Sequence, residues 1–144
     1  MGKIVVGVDG SECGRRALEW AIAEAELRDT EVIAVHAWQT PVVVPAPGGF
    51  AYTIPDIDFD AEAHRLLDTA IKEATGGTED VKVERRVVQR PATEALVRAA
   101  DGADMLVIGS RGLGGFSGLL LGSVGQQCAH HARCPVVIIP HEDR

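Results

Sequence analysis

Basic residues are scarce in this 144-residue chain, which has 14 lysine and arginine residues against 21 aspartate and glutamate residues. The formal net charge is therefore −7. An acidic surface is repelled by DNA, RNA and anionic membranes, so we expect neither a nucleic-acid partner nor a membrane partner. A nucleotide is still possible, because local backbone N–H groups can hold a small anion without a lysine.

Cysteine is also scarce, since the chain has only Cys13, Cys128 and Cys134, and no two of them form a CxxC pair. An odd count without paired spacing argues against a disulfide framework and against a zinc site. We expect all three thiols to be small buried apolar side chains. The same pattern favours a reducing cytoplasm as the location.

Long apolar runs are missing too, and none approaches the roughly 20 residues that a membrane-spanning helix needs. The run that begins at Ile4 is also too short for a signal peptide. A composition of 46% hydrophobic and 24% charged residues is typical of a globular protein. We expect one domain that spans residues 1–144.

Short runs rich in β-branched residues predict five strands. Their bounds are Lys3–Val8, Glu31–Ala37, Val81–Val88, Met105–Gly109 and Val136–Ile139. Unbroken apolar runs, such as the one at Ile4–Val6, indicate strands that are covered on both faces, as in a parallel sheet. The third run partly alternates between apolar and charged residues, which places it at an exposed edge.

Apolar residues at helical spacing connect these strands. The predicted helices run from Arg15 to Leu27 after an N-cap at Ser11, from Ala61 to Ala74 before Gly76-Gly77, from Pro91 as a first-turn residue, and from about Ser123 to His131. The alternation predicts an α/β fold, a single-domain open five-stranded parallel sheet with helices on both faces, which is Rossmann-like. The long stretch Gln39–Ile57 is either a lid or binding loop, or a mobile connection.

Ligands of such sheets bind at the carboxyl ends of strands, where the strand order reverses. The first strand ends at Asp9, and the fourth runs into a glycine-rich segment from Gly109 to Gly122. If these two strands are neighbours, the crevice offers a carboxylate, a backbone open to close approach, and unpaired N–H groups where the last helix begins. These features suit a ribonucleotide. Asp9 would accept hydrogen bonds from ribose hydroxyls or help to hold a phosphate-bound Mg²⁺.

Two common nucleotide-binding motifs are absent from the sequence. The Walker A pattern GxxxxGK[ST] does not occur, and the first turn, Gly7–Ser11, is not a dinucleotide fingerprint. The commonest NTPases and NAD enzymes are therefore excluded. A glycine-rich segment by itself favours a flexible connection, but its place between a buried strand and a helix favours a phosphate cradle.

The glycine-rich segment has the spacing G-x2-G-x9-G-[ST], from Gly109 and Gly112 to Gly122-Ser123. Together with the opening Ile4–Ser11 and the ending His130–Ile139, it resembles the universal stress protein family in its ATP-binding branch. The resemblance covers the whole chain. It implies a strand order of 3-2-1-4-5 and a cytoplasmic, ATP-binding regulator of stress adaptation.

The resemblance also implies which residues contact the nucleotide. They are Val8, Asp9, Ala37 beside the adenine, Ile108, Gly109, Gly112, Gly122, Ser123 and Val124. The implied cofactors are ATP and Mg²⁺, with the ion brought by ATP close to Asp9 and no metal site formed by the protein alone. The family often has Gly-x-Pro before the third helix, where this chain has Gln89-Arg90-Pro91, so Gln89 would alter the mouth of the site.

Other side chains near this site leave alternatives open. Arg111 either contacts phosphate or points to water, and His36 is expected as a satisfied core or rim residue. The sequence has no nucleophile–base pair at readable spacing, so we expect binding with slow or absent turnover and no catalytic residues. One alternative is a slow ATPase or autophosphorylating enzyme that modifies Ser110, Ser117 or Ser123. Another is a dimeric interaction module that binds AMP or cyclic AMP.

The last predicted strand, Val136–Ile139, carries no charge, and the implied order puts it at a sheet edge. An unprotected apolar edge strand invites pairing with another chain. The tail from His141 to Arg144 looks too short to cover that edge. We therefore expect a homodimer in which this strand pairs antiparallel with its copy about a two-fold axis. A protein partner that responds to the nucleotide is also expected, but the sequence does not identify it.

Overall fold

Strands and helices alternate in the computed structural model, which describes residues 2–39, 58–78, 80–112 and 121–141. The elements are β1 (Lys3–Gly7), α1 (Glu12–Arg28), β2 (Glu31–Trp38), α2 (Phe59–Thr75), β3 (Val83–Gln89), α3 (Ala92–Ala99), β4 (Met105–Gly109), α4 (Ser123–His131) and β5 (Val136–Ile139). Every strand and helix predicted above is present. The predicted lid or binding loop from Gln39 to Ile57 lies outside the described residues except for Gln39 itself.

The five strands form one sheet in the order β3-β2-β1-β4-β5, and each neighbouring pair is parallel. In the middle of the sheet, Val5 of β1 lies between Ile33 of β2 and Leu106 of β4. The predicted fold class is confirmed, and so is the strand order that the resemblance implied. β3 is an edge strand, as its alternating sequence predicted, and β5 is the other edge.

Helices cover both faces of the sheet, because successive residues of each strand point to opposite sides. On one face, Ile4 and Val6 of β1 pack with Leu18 of α1 and Leu67 of α2. On the other face, Val5 packs in a separate cluster that α3 and α4 complete. Leu18 and Leu67 are fully buried, and each such side chain contributes about 1.5–3 kcal/mol to stability through its transfer from water.

The predicted capping residues lie at the ends of their helices, except that the predicted position of Pro91 in α3 is wrong. Ser11 caps α1 by accepting a hydrogen bond from the Gly14 amide at 3.0 Å, and Gly76 ends α2 in the left-handed conformation with φ 65°. Pro91 precedes α3 instead of lying in its first turn. Its ψ of 140° is extended, so the helix begins at Ala92.

The cysteine prediction is right for two residues and wrong for the third. Cys13 and Cys128 are buried, whereas Cys134 is half-buried beside the α3–α4 cluster. Cys134 lies in the connection between α4 and the edge strand β5, where its burial is incomplete. Within the described ranges, none of the helices combines the length and the hydropathy that a membrane-spanning helix needs.

Candidate functional site

A cleft of about 500 Å³ opens at the carboxyl ends of β1 and β4. The structure places all nine of the predicted nucleotide contacts in its lining. These residues are Val8, Asp9, Ala37, Ile108, Gly109, Gly112, Gly122, Ser123 and Val124. Arg111 lines the same cleft. Asp9 follows β1 and Gly109 ends β4, and these two strands are neighbours, as the predicted crevice requires.

One wall of the cleft is apolar and was only partly predicted. Beside Ala37 and Ile108, it includes Gly7, Val35 and Leu96. Val35 could have been found from the sequence, because it lies two residues before Ala37 and therefore on the same face of β2. Leu96 belongs to the buried stripe of α3, which reaches the cleft because Gly7 has no side chain; a Cβ there would lie 3.0 Å from Leu96 Cδ1.

Another part of the lining is the N-terminus of α4. Gly122 precedes the helix with φ −70° and ψ 170°, and no side chain caps it. The first intrahelical hydrogen bond runs from the Gln126 amide to the Gly122 carbonyl at 3.0 Å. The amides of Ser123, Val124 and Gly125 make no hydrogen bond to any residue of the described chain. These N–H groups and the helix dipole favour an anion in the cleft.

Ser110 holds the base of the glycine-rich loop. Its carbonyl accepts a 2.6 Å hydrogen bond from the Gly122 amide, and its own amide donates to the Ile139 carbonyl at 2.8 Å. Its hydroxyl accepts from the His141 amide at 2.9 Å, and the residue is only 5% exposed. Ser110 is therefore a structural residue, which argues against it as a phosphoryl acceptor. Ser117, the other loop serine considered above, lies outside the described residues.

Gly109 is a glycine for a different reason from the predicted one. A Cβ at this position would lie 2.8 Å from Cys13 Sγ and 3.0 Å from the Cys13 carbonyl carbon. The absence of a side chain therefore lets the end of β4 pack against the start of α1. The residue still lines the cleft, but open access for a ligand does not by itself explain its identity.

The Asp9 carboxylate lies between two other glycines. Its Oδ1 atom accepts hydrogen bonds from the Ser11 amide at 2.9 Å and from the Ser11 hydroxyl. A Cβ on Gly14 would lie 2.7 Å from Asp9 Oδ1, and a Cβ on Gly112 would lie 2.6 Å from Asp9 Oδ2. The carboxylate therefore touches the first turn of α1 on one side and the glycine-rich loop on the other.

Charges in the cleft are few and of both signs. Among the described lining residues, Asp9 and Arg111 are the charged ones. Gln89, which was expected to alter the mouth, is not among these lining residues, whereas Ala92 is. His36 is satisfied, as predicted, because its Nδ1 atom lies 2.7 Å from the Val8 carbonyl oxygen.

A larger cavity of about 720 Å³ lies between α1 and α2, and Val8 is the residue that it shares with the cleft. Its charged side chains include Arg15 and Arg65, which pair with Glu12 and Glu62. The helix N-termini in its lining, at Glu12 of α1 and Phe59 of α2, are capped by the side chains of Ser11 and Asp58, whereas no side chain caps α4. The smaller cleft is therefore the better candidate for an anionic ligand.

A metal site made by protein side chains is not found in the described chain, where no group of three or more His, Cys, Asp and Glu residues comes together. Asp9 still fits a divalent cation that arrives on a ligand, because a carboxylate is the oxygen donor that Mg²⁺ prefers. The cleft can thus hold an anion at α4, an apolar group at β2, and a hydroxyl or a ligand-borne cation at Asp9.

Comparison with known proteins identifies the class to which this fold and cleft belong. The model of the universal stress protein family matches residues 1–140, and the chain belongs to this family. Universal stress protein Rv2005c of Mycobacterium tuberculosis is 40% identical over 139 residues, which are 94% of this chain and 44% of that protein. The chain thus spans less than half the length of this relative.

Two solved structures are similar over nearly the whole chain. A universal stress protein in complex with cAMP is 28% identical, with a TM-score of 0.71, over 96% of this chain and 95% of that one. The universal stress protein of Archaeoglobus fulgidus in complex with dAMP is also 28% identical, with a TM-score of 0.69, over 96% of this chain and 98% of that one. Both share the architecture described above.

Proposed function

We propose that the cleft binds an adenine nucleotide, with ATP and Mg²⁺ as the leading candidates, as in the ATP-binding branch of the family. The observation that carries the proposal is the meeting of three features in one 500 Å³ cleft. They are the apolar wall around Ala37, the Asp9 carboxylate, and the uncapped N-terminus of α4. The two similar structures that hold cAMP and dAMP support the adenine assignment.

Each part of the ligand has a wall with matching chemistry. The adenine would pack against Ala37 and Ile108, because flat apolar groups are favoured where water is excluded. The ribose hydroxyls would donate to Asp9. The phosphates would follow Gly109 and Gly112 to the amides of α4, where the Ser123 hydroxyl adds a further donor. Mg²⁺ on the phosphates would supply positive charge near Asp9.

The same cleft favours binding over hydrolysis. Fast phosphoryl transfer needs a group that orients the attacking water and charges that stabilise the transition state. Among the described lining residues, Arg111 is the basic side chain, and neither a lysine nor a histidine is present. We therefore propose a cytoplasmic, nucleotide-dependent regulator of stress adaptation, in which occupancy of the cleft changes the affinity for a protein partner.

A second candidate is a module that binds AMP or cyclic AMP, which the two similar structures with monophosphate ligands favour. Titration calorimetry with ATP, AMP and cAMP, each with and without Mg²⁺, separates the candidates. The ATP assignment predicts that ATP with Mg²⁺ binds at least about tenfold more tightly than AMP, since charge-assisted hydrogen bonds are strong. Equal affinities favour the monophosphate module, and the lack of binding by all three contradicts the proposed function.

The third candidate is a slow ATPase or an autophosphorylating enzyme. Incubation with ATP followed by intact-mass measurement and phosphate assay tests it. Because Ser110 is buried and hydrogen-bonded, a phosphoryl group would be expected on Ser123 or Ser117 instead. Ser123→Ala provides the matched control for a mass gain at that residue. We expect no mass gain and little phosphate release.

We also propose that the protein is a homodimer formed through β5. Val136, Val137 and Ile138 of this strand are half-exposed in the isolated chain, and β5 has a partner strand on one side only among the described elements. An apolar edge strand is stabilised when a second strand completes its backbone hydrogen bonds. Antiparallel pairing of two copies about a two-fold axis would cover both edges at once.

A further inference from the structure

We propose that Ser11 is a positioning residue of the nucleotide site and that it acts through Asp9; this inference rests on the function proposed above. Ser11 lies in the turn between β1 and α1 and makes two hydrogen bonds to Asp9 Oδ1. The amide donates at 2.9 Å, and the hydroxyl donates to the same oxygen. The sequence assigned Ser11 only as an N-cap.

The Ser11 hydroxyl also connects Asp9 to the first turn of α1. A hydroxyl has one proton to donate and lone pairs with which to accept. Because its proton goes to Asp9, its lone pairs are left for the Gly14 amide, which donates to it at 3.0 Å. The next turn of α1 is fixed in the core, where Ala17 and Leu18 are fully buried. Through Ser11, the carboxylate is thus tied to a rigid element.

Glycines on both sides leave the space that the carboxylate occupies. Gly14 lies beside Oδ1 and Gly112 beside Oδ2, so close that a Cβ on either would clash with Asp9. In this arrangement Oδ1 faces α1, while Oδ2 faces the glycine-rich loop that would hold the ligand. Without the Ser11 hydroxyl, Asp9 would lose one of the two hydrogen bonds that Ser11 donates to Oδ1. More of its order would then have to be gained when the nucleotide binds, and that ordering reduces affinity.

The test uses the tightest-binding of ATP, AMP and cAMP for the wild-type protein, measured by calorimetry. We expect Ser11→Ala to raise Kd about five- to tenfold, the cost of ordering one side chain together with a lost hydrogen bond. Ser11→Thr should stay within about twofold, because threonine keeps the hydroxyl and is also a good N-cap.

A matched control removes a helix cap that is outside the lining of the cleft. Asp58 caps α2 by accepting a hydrogen bond from the Ala61 amide at 3.1 Å, and it does not line the cleft. Asp58→Ala should therefore lower stability about as much as Ser11→Ala does, but leave Kd unchanged. Thermal unfolding of both variants checks that their losses of stability are comparable.

A double-mutant cycle asks whether Ser11 acts through Asp9. If it does, Ser11→Ala raises Kd several-fold in the wild-type background and less than about twofold in the Asp9→Ala background. An equal effect in both backgrounds, or an unchanged Kd for Ser11→Ala alone, overturns this inference and leaves the proposed function standing. A wild-type protein that binds none of the three nucleotides instead contradicts the proposed function itself.

Discussion

The amide of Gly122 donates a hydrogen bond to the carbonyl of Ser110 over 2.6 Å. This bond joins the end of β4 to the residue immediately before α4. The Ser110 amide is in turn bonded to Ile139, so the junction is anchored to the edge of the sheet. As a result, the N-terminus of α4 is held beside the carboxyl ends of β1 and β4, where its amides face the same cleft as Asp9.

The two glycines that open the glycine-rich segment should respond differently to alanine. Gly109→Ala would push a methyl group against the Cys13 backbone, which cannot yield easily, so we expect a loss of about 1–3 kcal/mol in unfolding free energy. Gly112→Ala would instead press on the Asp9 carboxylate. It should raise the Kd for nucleotide about tenfold or more, with a smaller loss of stability.

Urea unfolding and calorimetry on both variants measure the two effects. A large change such as Gly109→Lys would not test binding cleanly, because it combines a site change with a packing clash. The opposite result, in which Gly112→Ala unfolds readily and Gly109→Ala binds poorly but is stable, would contradict the assigned roles.

The sequence predicted the sheet well, because the pattern that marks each strand lies in residues that are neighbours along the chain. The apolar run of β1 and the alternation of β3 each follow from the faces that they cover. The convergence of Asp9 and Ser123 was also predictable, once the first and fourth strands were taken as neighbours. The family spacing supported the same nine contacts.

The remaining contacts could not be predicted, because they depend on atoms that are distant along the chain. The clash of a Gly109 side chain with Cys13 depends on the exact height at which α1 crosses the end of β4. The burial of Ser110 depends on how β5 leaves the sheet. The half-exposure of Cys134 depends on the edge beside it. Neither the clash nor the burial of these residues can be read from residue type or spacing.

Alkaline pH should weaken the fold through Cys128. Burial raises the pKa of this thiol from 9.0 to about 11. Between these values the unfolded chain loses the proton while the folded chain keeps it, so the unfolding free energy falls as pH rises from about 9 to about 11. We expect a loss of about 1–3 kcal/mol across this window, measured by urea unfolding.

Cys128→Ala should remove most of this pH dependence, although it lowers stability at neutral pH by creating a small cavity. Cys134→Ala is the matched control. The pKa of Cys134 is also raised by burial, but a hydrogen bond from the Leu106 backbone lowers it, so this thiol should contribute less. An identical fall in stability for the wild type and Cys128→Ala would show that other groups cause it.

The proposed dimer should depend on the outward-facing backbone of β5. The carbonyl of Pro135 accepts from the Leu106 amide of β4, and that of Ile139 accepts from the Ser110 amide just after β4. Because the backbone groups of successive residues in a strand point to opposite sides, the Ile138 amide is turned toward the free edge. Ile138→Pro removes that amide and should give a monomer in light scattering at micromolar concentration. Ile138→Val keeps the amide and should remain a dimer. A wild-type monomer would refute the dimer.

The central claim is that main-chain amides of α4 hold the phosphates, and Ser123→Pro tests it most directly. Proline is tolerated at the first helical position, and the extended Gly122 with ψ 170° suits a residue before proline. The variant thus removes one amide donor while the helix remains, and Ser123→Ala controls for the lost hydroxyl. In calorimetry, we predict that Ser123→Pro binds ATP about tenfold more weakly than Ser123→Ala. Equal affinities of the two variants, with both folded, would contradict the account.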